Sequence, residues 1–346
     1  MNSRDNIKDA SDALGRPIRD LRVSVTDRCN FRCTYCMPRE VFGPGYDFVP
    51  RGELLTLEEI ARLVRVFTTF GMRKVRITGG EPMIRRNLEY LIEMVAAIAG
   101  VKDISMTTNG SMLTHGRAQS LRQAGLGRLT VSLDALDDVT FKRINDVEFP
   151  VAKVLEGIAN AQAAGFTDIK INVVVRRGFN EHVVLPVVRH FRGSGCIVRF
   201  IEFMDVGSSN RWNLEQVVPA TELVSLINAE MPIEPVSPNY RGEVAKRWRY
   251  RDGGGELGFI TSVTESFCGD CARARLSASG QLYTCLFATD GHDLRAPLRA
   301  SAGDDALVER IASIWAQRQD RYSELRGQLA VSPTSLHKVE MSHIGG

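Results

Sequence analysis

Two groups of three closely spaced cysteines are the residues of this chain best suited to chemistry. Six of the seven cysteines in the 346-residue sequence fall into these two triplets. The first has the spacing Cys-x3-Cys-x2-Cys and the second Cys-x2-Cys-x13-Cys, and their members are Cys29, Cys33, Cys36, Cys268, Cys271 and Cys285. Three thiolates can hold three irons of a cubane cluster and leave the fourth iron open for another ligand. The spacing therefore predicts two reactive iron–sulfur clusters.

Zinc is the alternative occupant of these triplets, because Cys-x2-Cys pairs are common in zinc sites. A structural zinc site needs four ligands, whereas each triplet offers three. A histidine could complete a set, but none lies near the first triplet in sequence, and His292 is the only one close to the second.

The composition excludes several classes of protein. Lysine and arginine (44) nearly balance aspartate and glutamate (41), so there is no overall field that would attract nucleic acid. No apolar run is long enough to span a bilayer, and the first sixteen residues lack the apolar stretch of a secretory signal. We therefore expect a cytoplasmic protein that binds neither membrane nor nucleic acid. In a reducing compartment clustered thiols are metal ligands rather than disulfides, and Cys196 is expected to be a core residue.

Short β-branched segments alternate with helical patterns through the first 203 residues. Strands are predicted at residues 21–26, 74–78, 103–107, 129–133, 169–175 and 197–203. Helices are predicted at residues 57–67, after a capping box of Thr56 and Glu59, and at 88–98, 115–124, 151–164 and 181–192. Six βα units in series imply an α/β fold with a parallel sheet that curls into a partial (βα)6 barrel.

The alternation of strand and helix patterns ends after about residue 235. Antiparallel strands are predicted around a turn at residues 252–255, a hairpin around Ser279-Gly280, and a helix at 304–317. We therefore predict three parts: an N-terminal polar segment (1–16), the barrel (17–235), and a mixed C-terminal domain with the second cluster (236–346).

Several basic residues lie on the strand faces that should point into the barrel. In each strand the alternate apolar residues suit the face packed under helices, which leaves Arg22, Lys74, Arg76 and Lys170 pointing inward. Arg199, flanked by Ile197 and Ile201, fits this sorting less well. Each cation taken singly is more often a residue of the rim or of a salt bridge. Together, however, they predict a bound polyanion such as a triphosphate, because an interior cation without a partner is costly.

Two further arginines, Arg273 and Arg275, share one strand face directly after Cys271. Cysteines beside a doubled arginine suggest a cluster that faces an anionic substrate. The alternative is a zinc-ribbon half-site with solvated arginines.

The first triplet follows the first predicted strand, and Gly79-Gly80-Glu81-Pro82 follows the second. In these positions they resemble the cluster motif and glycine segment of the radical S-adenosylmethionine (SAM) enzymes. The resemblance implies that the open iron chelates SAM and that a 5′-deoxyadenosyl radical is released. It also implies SAM contacts from Tyr35, Gly80, Ser132 and Met204. Read without it, the glycine segment is a strand-to-helix turn and Met204 a packing residue.

Along nearly its whole length the chain is similar to one branch of this family, whose members cyclise GTP at the start of molybdenum cofactor biosynthesis. The agreement covers residues 26–38, 76–82, 107–110, 131–135, 199–207, 268–275 and the terminal Gly345-Gly346. The resemblance implies a lyase with SAM and two [4Fe-4S] clusters as cofactors. It implies that the first triplet, Arg273 and Arg275 are catalytic and that the tail reaches the active site. It also implies contacts to GTP, to which the strand pattern adds Lys74 and Arg199. The predicted GTP contacts are Arg22, Lys74, Arg76, Thr107, Lys170, Arg199, Arg273 and Arg275.

The implied reaction removes the hydrogen at the ribose C3′ of GTP, joins C3′ to C8 of the guanine, and adds one electron and one proton. The product is (8S)-3′,8-cyclo-7,8-dihydroguanosine 5′-triphosphate, which a cyclic pyranopterin monophosphate synthase would then consume. Electrons would come from a flavodoxin- or ferredoxin-type donor. The sequence leaves the oligomeric state open, a homodimer included.

Two other functions stay open on sequence alone. A peptide-modifying radical SAM enzyme with an auxiliary cluster would explain the cysteines, although a peptide does not call for so many inward cations. A non-catalytic iron–sulfur electron carrier would also explain the cysteines, but it gives Gly79–Pro82 and the inward arginines no purpose.

Overall fold

The computed structural model describes residues 10–329 and 337–346 of the chain. Twelve strands in this part of the chain form one sheet. They are β1 (Asp20–Ser24), β2 (Lys74–Thr78), β3 (Asp103–Thr108), β4 (Arg128–Ser132), β5 (Lys170–Val175), β6 (Ile197–Glu202), β7 (Ile233–Val236), β8 (Lys246–Tyr250), β9 (Glu256–Ile260), β10 (Arg273–Leu276), β11 (Gln281–Tyr283) and β12 (His292–Asp293). The six predicted strands correspond to β1–β6.

The strand order is β12-β11-β10-β1-β2-β3-β4-β5-β6-β9-β8-β7. Strands β1 to β6 are mutually parallel, and β10 and β9 extend them in parallel at the two edges. The outer pairs β10–β11, β11–β12, β9–β8 and β8–β7 are antiparallel. The α/β fold and the parallel sheet of βα units are thus confirmed, as are the two predicted antiparallel hairpins. Eight parallel strands, rather than six, surround the interior.

Eleven helices are present in the described residues. They are α1 (Leu57–Thr68), α2 (Leu88–Ala96), α3 (His115–Gln123), α4 (Asp138–Asn145), α5 (Val151–Ala163), α6 (Val184–Phe191), α7 (Ala220–Glu230), α8 (Arg295–Arg299), α9 (Asp304–Ala316), α10 (Tyr322–Leu329) and α11 (Met341–Ile344). The predicted capping box at the start of α1 is confirmed, with Thr56 accepting from the backbone N–H of Glu59. The sequence pattern did not predict all of these helices. For one of them, α4, the sequence contained a signal, because Asp137 caps its first turn.

The predicted helix at 181–192 begins later than expected. Residues Glu181–Val183 form a 3₁₀ turn, and α6 starts at Val184. Pro186 lies in the first turn of α6, where its missing N–H and fixed φ are tolerated, so the regular helix begins just before it.

The apolar core lies between the strands and the surrounding helices. Leu21 and Val23 of β1 and Val75 and Ile77 of β2 are fully buried there, on the face predicted to pack under helices. The alternate residues of these strands consequently point into the barrel.

The C-terminal region is built into the barrel sheet. Strand β10 lies beside β1, with Arg273 opposite Asp20 and Arg275 opposite Arg22, and β9 lies beside β6. The predicted boundary near residue 235 falls within β7, and the sheet continues across it, so the three-part division stays a prediction. In the N-terminal segment, residues 1–9 lie outside the described part, whereas Asp12 and Arg16 are buried.

None of the helices in the described part of the chain combines the length and the apolar character that crossing a bilayer requires.

Close packing of α5 against the loop that follows β3 depends on a glycine. A Cβ added at Gly157 would lie 2.8 Å from the carbonyl oxygen of Gly110, whereas one added at Gly116 in α3 would meet no atom within 4 Å. We expect Gly157→Ala to lower the free energy of unfolding by about 1–3 kcal/mol, because the helix must move away. Gly116→Ala should raise it by up to about 1 kcal/mol, because alanine is the better helix former. Urea unfolding of the two apoprotein variants tests this, and equal stability of both would contradict the packing.

Candidate active site

One large cavity, of about 560 Å³, lies inside the barrel. All six triplet cysteines line it: Cys29, Cys33, Cys36, Cys268, Cys271 and Cys285. The first triplet follows the carboxyl end of β1. In the second triplet, Cys268 and Cys271 precede β10, which is parallel to β1, and Cys285 follows β11, which is antiparallel to β10. The second triplet therefore lies at the opposite end of the strands. The two triplets are therefore separated by roughly the length of β1. This five-residue strand is about 15 Å long at ~3.3 Å per residue. The predicted arrangement, two thiol triplets across one cavity, is therefore present.

The first triplet lies in a loop held by its own backbone. The N–H groups of Cys36 and Met37 both donate to the carbonyl of Cys33, at 2.9 Å. Burial raises the pKa of Cys29 to about 12 and raises the pKa of Cys33 and Cys36 as well. Thiols in such a place ionise only when a cation compensates their charge, which the irons of a cluster would do.

The glycine segment after β2 packs directly on this loop. The N–H of Gly80 donates to the carbonyl of Thr26, and that of Glu81 to the carbonyl of Arg28, both at 2.8 Å. A Cβ on Gly80 would collide with the Arg28 carbonyl oxygen, so glycine is required at this position. Gly80 lines the cavity, as predicted for a SAM contact.

Glu81 is a site residue that the sequence analysis did not single out. Its buried carboxylate accepts hydrogen bonds from Met83 N–H (3.1 Å), Thr108 Oγ1 (2.7 Å) and Asn109 N–H (2.7 Å). Burial raises its pKa to about 7, although these donors oppose the shift. The side chain thus ties the loop after β2 to the loop after β3, and its place in Gly-Gly-Glu-Pro was the available signal.

The other three predicted SAM contacts also line the cavity: Tyr35, Ser132 and Met204. Tyr35 donates its hydroxyl hydrogen to Asp134 Oδ2 at 2.7 Å, and the N–H of Val174 donates to Asp134 Oδ1 at 2.8 Å. Burial raises the pKa of Asp134 to about 6. Asp134 was missed by the sequence analysis, although it lies two residues after Ser132.

Three arginines from three adjacent strands stand side by side between the two triplets. Arg76 of β2 is opposite Arg22 of β1, and Arg22 is opposite Arg275 of β10. Neighbouring strands are about 4.8 Å apart, so these like charges lie close together. We call Arg76, Arg22 and Arg275 the arginine row. All three line the cavity.

The arginine row forms no ion pair within the described part of the chain, and the field of Asp20 offsets only part of its charge. The Nε atoms of Arg22 and Arg76 are buried and have no hydrogen-bond partner among the described residues. Burial, together with repulsion from the neighbouring arginines, lowers the pKa of Arg22 and lowers that of Arg275 to about 10. A bound polyanion would relieve both the missing contacts and the repulsion.

The remaining predicted GTP contacts divide into two sets. Thr107, Lys170, Arg199 and Arg273 line the cavity. Arg199 does so although Ile197 and Ile201 flank it, because those isoleucines line the cavity too. Lys74 is the exception: it is absent from the cavity wall, and its Nζ lies 3.3 Å from the centre of the Tyr240 ring. Lys74 is the first residue of β2, so its long side chain reaches out to the loop before β8.

The second triplet differs from the first in its charge environment. Burial alone would raise the pKa of Cys271, but Arg273 and Arg318 lower it to about 6, and Arg273 donates to the Cys271 sulfur at 3.1 Å. Burial raises the pKa of Cys285 to about 11. His292 is exposed on β12 and does not line the cavity. Among residues 10–329 and 337–346, no group of three His, Cys, Asp or Glu side chains is arranged to hold a single metal ion. Thiols that each bind a different iron of a cubane need not converge on one point.

The C-terminal tail enters the same cavity. Gly346 lines it, and Arg275 donates to the carbonyl of Gly345. Glu340 anchors the tail: its carboxylate accepts from the N–H of Ser208 (3.0 Å) and from Ser209 Oγ (2.9 Å). The predicted position of the two terminal glycines thus agrees with the structure.

Sequence profiles of two known families match this chain. The radical SAM superfamily matches residues 23–191, and Molybdenum Cofactor Synthesis C matches residues 196–324. The GTP 3′,8-cyclase of Acidothermus cellulolyticus is 52% identical over 357 residues, covering 97% of this chain and 98% of that protein. The chain belongs to the GTP 3′,8-cyclase family. The GTP 3′,8-cyclases of Staphylococcus epidermidis (48% identical, covering 97% of this chain and 98% of theirs) and Staphylococcus aureus (47%, covering 98% and 100%) agree.

Solved structures support the fold of this GTP 3′,8-cyclase family member. SuiB of Streptococcus suis, bound to S-adenosylmethionine, has a TM-score of 0.61 at 13% identity and covers 94% of this chain and 78% of its own. SuiB bound to its precursor peptide SuiA has a TM-score of 0.60 at 13% identity, covering 92% and 68%. At this identity the likeness concerns the fold alone.

The anchor of the tail can be tested by removing one carboxylate. Hydrogen bonds to a charged group contribute about 1.5–3 kcal/mol, so in Glu340→Ala we expect amide exchange at Ile344 and Gly345 to be at least about tenfold faster. Turnover should fall as well, because Gly346 would no longer be held at the cavity. Glu309→Ala, on the exposed face of α9, is the control and should change neither quantity. Unchanged exchange in Glu340→Ala would show that the tail is held by other contacts.

Proposed function

We propose that this chain is a GTP 3′,8-cyclase, a radical SAM lyase that converts GTP to (8S)-3′,8-cyclo-7,8-dihydroguanosine 5′-triphosphate in the first step of molybdenum cofactor biosynthesis. The single observation that carries the proposal is the cavity with a cysteine triplet at each end and the arginine row between them. The relatives named GTP 3′,8-cyclase, similar over nearly the whole chain, give this cavity its substrate.

The end of the cavity at the first triplet would hold SAM. Cys29, Cys33 and Cys36 would bind three irons of a [4Fe-4S] cluster. Burial raises the pKa of these thiols, so they would ionise only where the positive irons compensate their charge. SAM held there, given one electron from the cluster, would supply the radical chemistry that removes the hydrogen at the ribose C3′ of GTP. Tyr35, Gly80, Ser132 and Met204 border the space beside these thiols and would position SAM.

The other end of the cavity would hold GTP. The arginine row with Lys170, Arg199 and Arg273 would bind the triphosphate, because guanidinium groups pair with phosphate oxygens in two-pronged hydrogen bonds. Cys268, Cys271 and Cys285 would hold the second [4Fe-4S] cluster, which would bind the guanine end of the nucleotide. Fixing both ends of the nucleotide holds C3′ and C8 together, and such positioning lowers the barrier to ring closure.

The two alternatives account for less of the structure. A peptide-modifying enzyme shares the fold, as the likeness to SuiB indicates, but a peptide does not compensate a row of buried arginines. A non-catalytic electron carrier needs no cavity of about 560 Å³ beside its clusters. The formation of 5′-deoxyadenosine separates the enzymes from the carrier, and competition between GTP and a peptide separates the two enzymes.

The proposal also includes the next enzyme, the electron donor, the cellular compartment and the assembly. The product would pass to a cyclic pyranopterin monophosphate synthase, and a flavodoxin- or ferredoxin-type protein would supply electrons. We place the enzyme in the cytoplasm, because clusters held by free cysteines persist in a reducing compartment. A homodimer is a candidate assembly.

The decisive experiment follows one hydrogen atom. The anaerobically reconstituted enzyme is reduced with dithionite and given SAM with GTP that carries deuterium at C3′. We expect deuterium in the 5′-deoxyadenosine and a cyclised nucleotide of matching mass. Unlabelled 5′-deoxyadenosine, or release of 5′-deoxyadenosine that does not depend on GTP, would contradict the proposed reaction.

Loss of the second triplet should separate SAM cleavage from cyclisation. We expect Cys268→Ala to retain 5′-deoxyadenosine formation, because the first triplet is intact at the other end of the cavity, and to abolish the cyclised product. The matched control is Cys196→Ala, since Cys196 is buried in the core away from the cavity. Full cyclisation by Cys268→Ala would remove the second cluster from the reaction.

The charge of Lys170 predicts a pH dependence of substrate binding. Burial and the nearby Arg199 lower the pKa of Lys170 to about 8, so the free protein loses this positive charge as the pH rises through that value. Affinity for GTP should therefore fall between about pH 7 and pH 9, where the protonated lysine is the form that binds phosphate. Lys170→Met should bind GTP more weakly at pH 7 and lose this part of the slope. Calorimetric titration of both proteins measures it, and parallel slopes would contradict the assignment.

A further inference from the structure

The N-terminal segment contributes a buried carboxylate next to the second triplet. The side chain of Asp12 is fully buried, and its Oδ2 accepts from Arg16 Nε at 2.6 Å and from Arg318 at 2.9 Å. Arg16 and Arg318 are themselves buried, with side chains 2% and 1% exposed. One carboxylate therefore fixes two guanidinium groups that come from opposite ends of the chain. We call Asp12, Arg16 and Arg318 the Asp12 network.

Both arginines of the Asp12 network donate to the backbone that carries the second triplet. Arg16 donates to the carbonyl of Cys268 at 2.8 Å, and Arg318 donates to the carbonyl of Cys271 at 2.8 Å. Arg318 Nε also donates to the carbonyl of Thr284, the residue before Cys285, at 3.0 Å. Each of the three cysteines is thus held at its own carbonyl or at that of its neighbour, although the cysteines belong to two separate loops.

Trp315 completes the arrangement from α9. Its indole N–H donates to the carbonyl of Arg16 at 2.8 Å, and the guanidinium of Arg318 lies 4.6 Å from the centre of its ring. The Trp315 side chain is fully buried. Arg318 therefore has one rigid position, set by a carboxylate on one side and a ring on the other.

We propose that Asp12, Arg16 and Arg318 are positioning residues for the second iron–sulfur cluster. The network would hold the thiols of Cys268, Cys271 and Cys285 at the separations that a cubane requires before any iron arrives. The inference rests on the proposed function, because it assumes that the second triplet binds a cluster. The first triplet, by contrast, lies in a single loop with its own internal hydrogen bonds.

The energetics agree with a positioning role. Without the Asp12 carboxylate, Arg16 would lose the one ion pair it makes among the described residues, and Arg318 would keep only its longer pair with Asp320 (3.3 Å). Removal of one partner of a buried pair costs about 3–5 kcal/mol. Arginine is needed at both places, because each guanidinium bridges the carboxylate and backbone carbonyls at the same time, and a lysine ammonium cannot keep that planar geometry. A network with only a general stabilising role would not need hydrogen bonds to the carbonyls of the cysteine loops.

The test counts iron at the second triplet alone. In a background in which Cys29, Cys33 and Cys36 are all alanine, the chain is reconstituted anaerobically, and the loss of iron to a ferrous chelator is followed. We expect Asp12→Asn and Arg318→Lys to lose iron about 10- to 100-fold faster than the background protein, as is typical when the groups that orient metal ligands are removed. The electron paramagnetic resonance signal of the reduced cluster should change as well. Asp304→Asn, which breaks the more exposed Arg62–Asp304 ion pair at the start of α9, is the matched control.

A second background decides between positioning and general stability. In chains in which Cys268, Cys271 and Cys285 are alanine, iron at the first triplet should be retained equally with and without Asp12→Asn. Equal losses in both backgrounds, or unchanged retention at the second triplet, would overturn the proposal. If Asp12→Asn does not fold, Arg318→Lys, which keeps the charge, gives the answer. A background protein that takes up no iron at the second triplet would refute the proposed second cluster itself, which is a different failure.

Discussion

Closely spaced positive charge inside the barrel, held without an ion pair among the described residues, is the constraint on which this molecule depends. The arginine row places three guanidinium groups at one register position of three adjacent strands, where like charges repel. Two of their nitrogens have no partner among the described residues. In a low-dielectric interior this arrangement costs free energy, so it is sustained by the rest of the fold and relieved by an anion. Under the proposed function, this anion is the triphosphate of GTP.

The sheet explains how one cavity can serve two clusters. Because the strands are parallel, residues that follow them gather at one end of the barrel and residues that precede them at the other. The first triplet follows β1. In the second, Cys268 and Cys271 precede β10, which lies directly beside β1, and Cys285 follows the antiparallel β11. C-terminal strands extend the same hydrogen-bonded sheet at both edges of the six-strand core. The distance between the two chemistries is accordingly set by the length of a strand.

The fold does not choose the substrate. The likeness to SuiB at 13% identity extends over most of the chain, yet it reflects the arrangement of strands and helices rather than the side chains inside. What points to a nucleotide here is charge: the arginine row, Lys170 and Arg199 all line the cavity, and Arg275 donates to the carbonyl of Gly345. Function in this family resides in the lining of the barrel.

The sequence by itself determined the cysteine triplets, the six core strands to within a residue or two at most ends, the glycine segment and most of the inward cations. These follow from local rules, namely ligand spacing and the alternation of faces along a strand. Tertiary structure decided what local rules cannot reach. It paired β10 with β1, which brought Arg275 into line with Arg22, and it turned Lys74 toward Tyr240. Asp12 belongs to a polar segment and has no distinguishing feature in the sequence. In the structure it is buried between Arg16 and Arg318, which are 302 positions apart in the chain. Contacts between such distant residues depend on the whole packing, and no periodicity in the sequence records them.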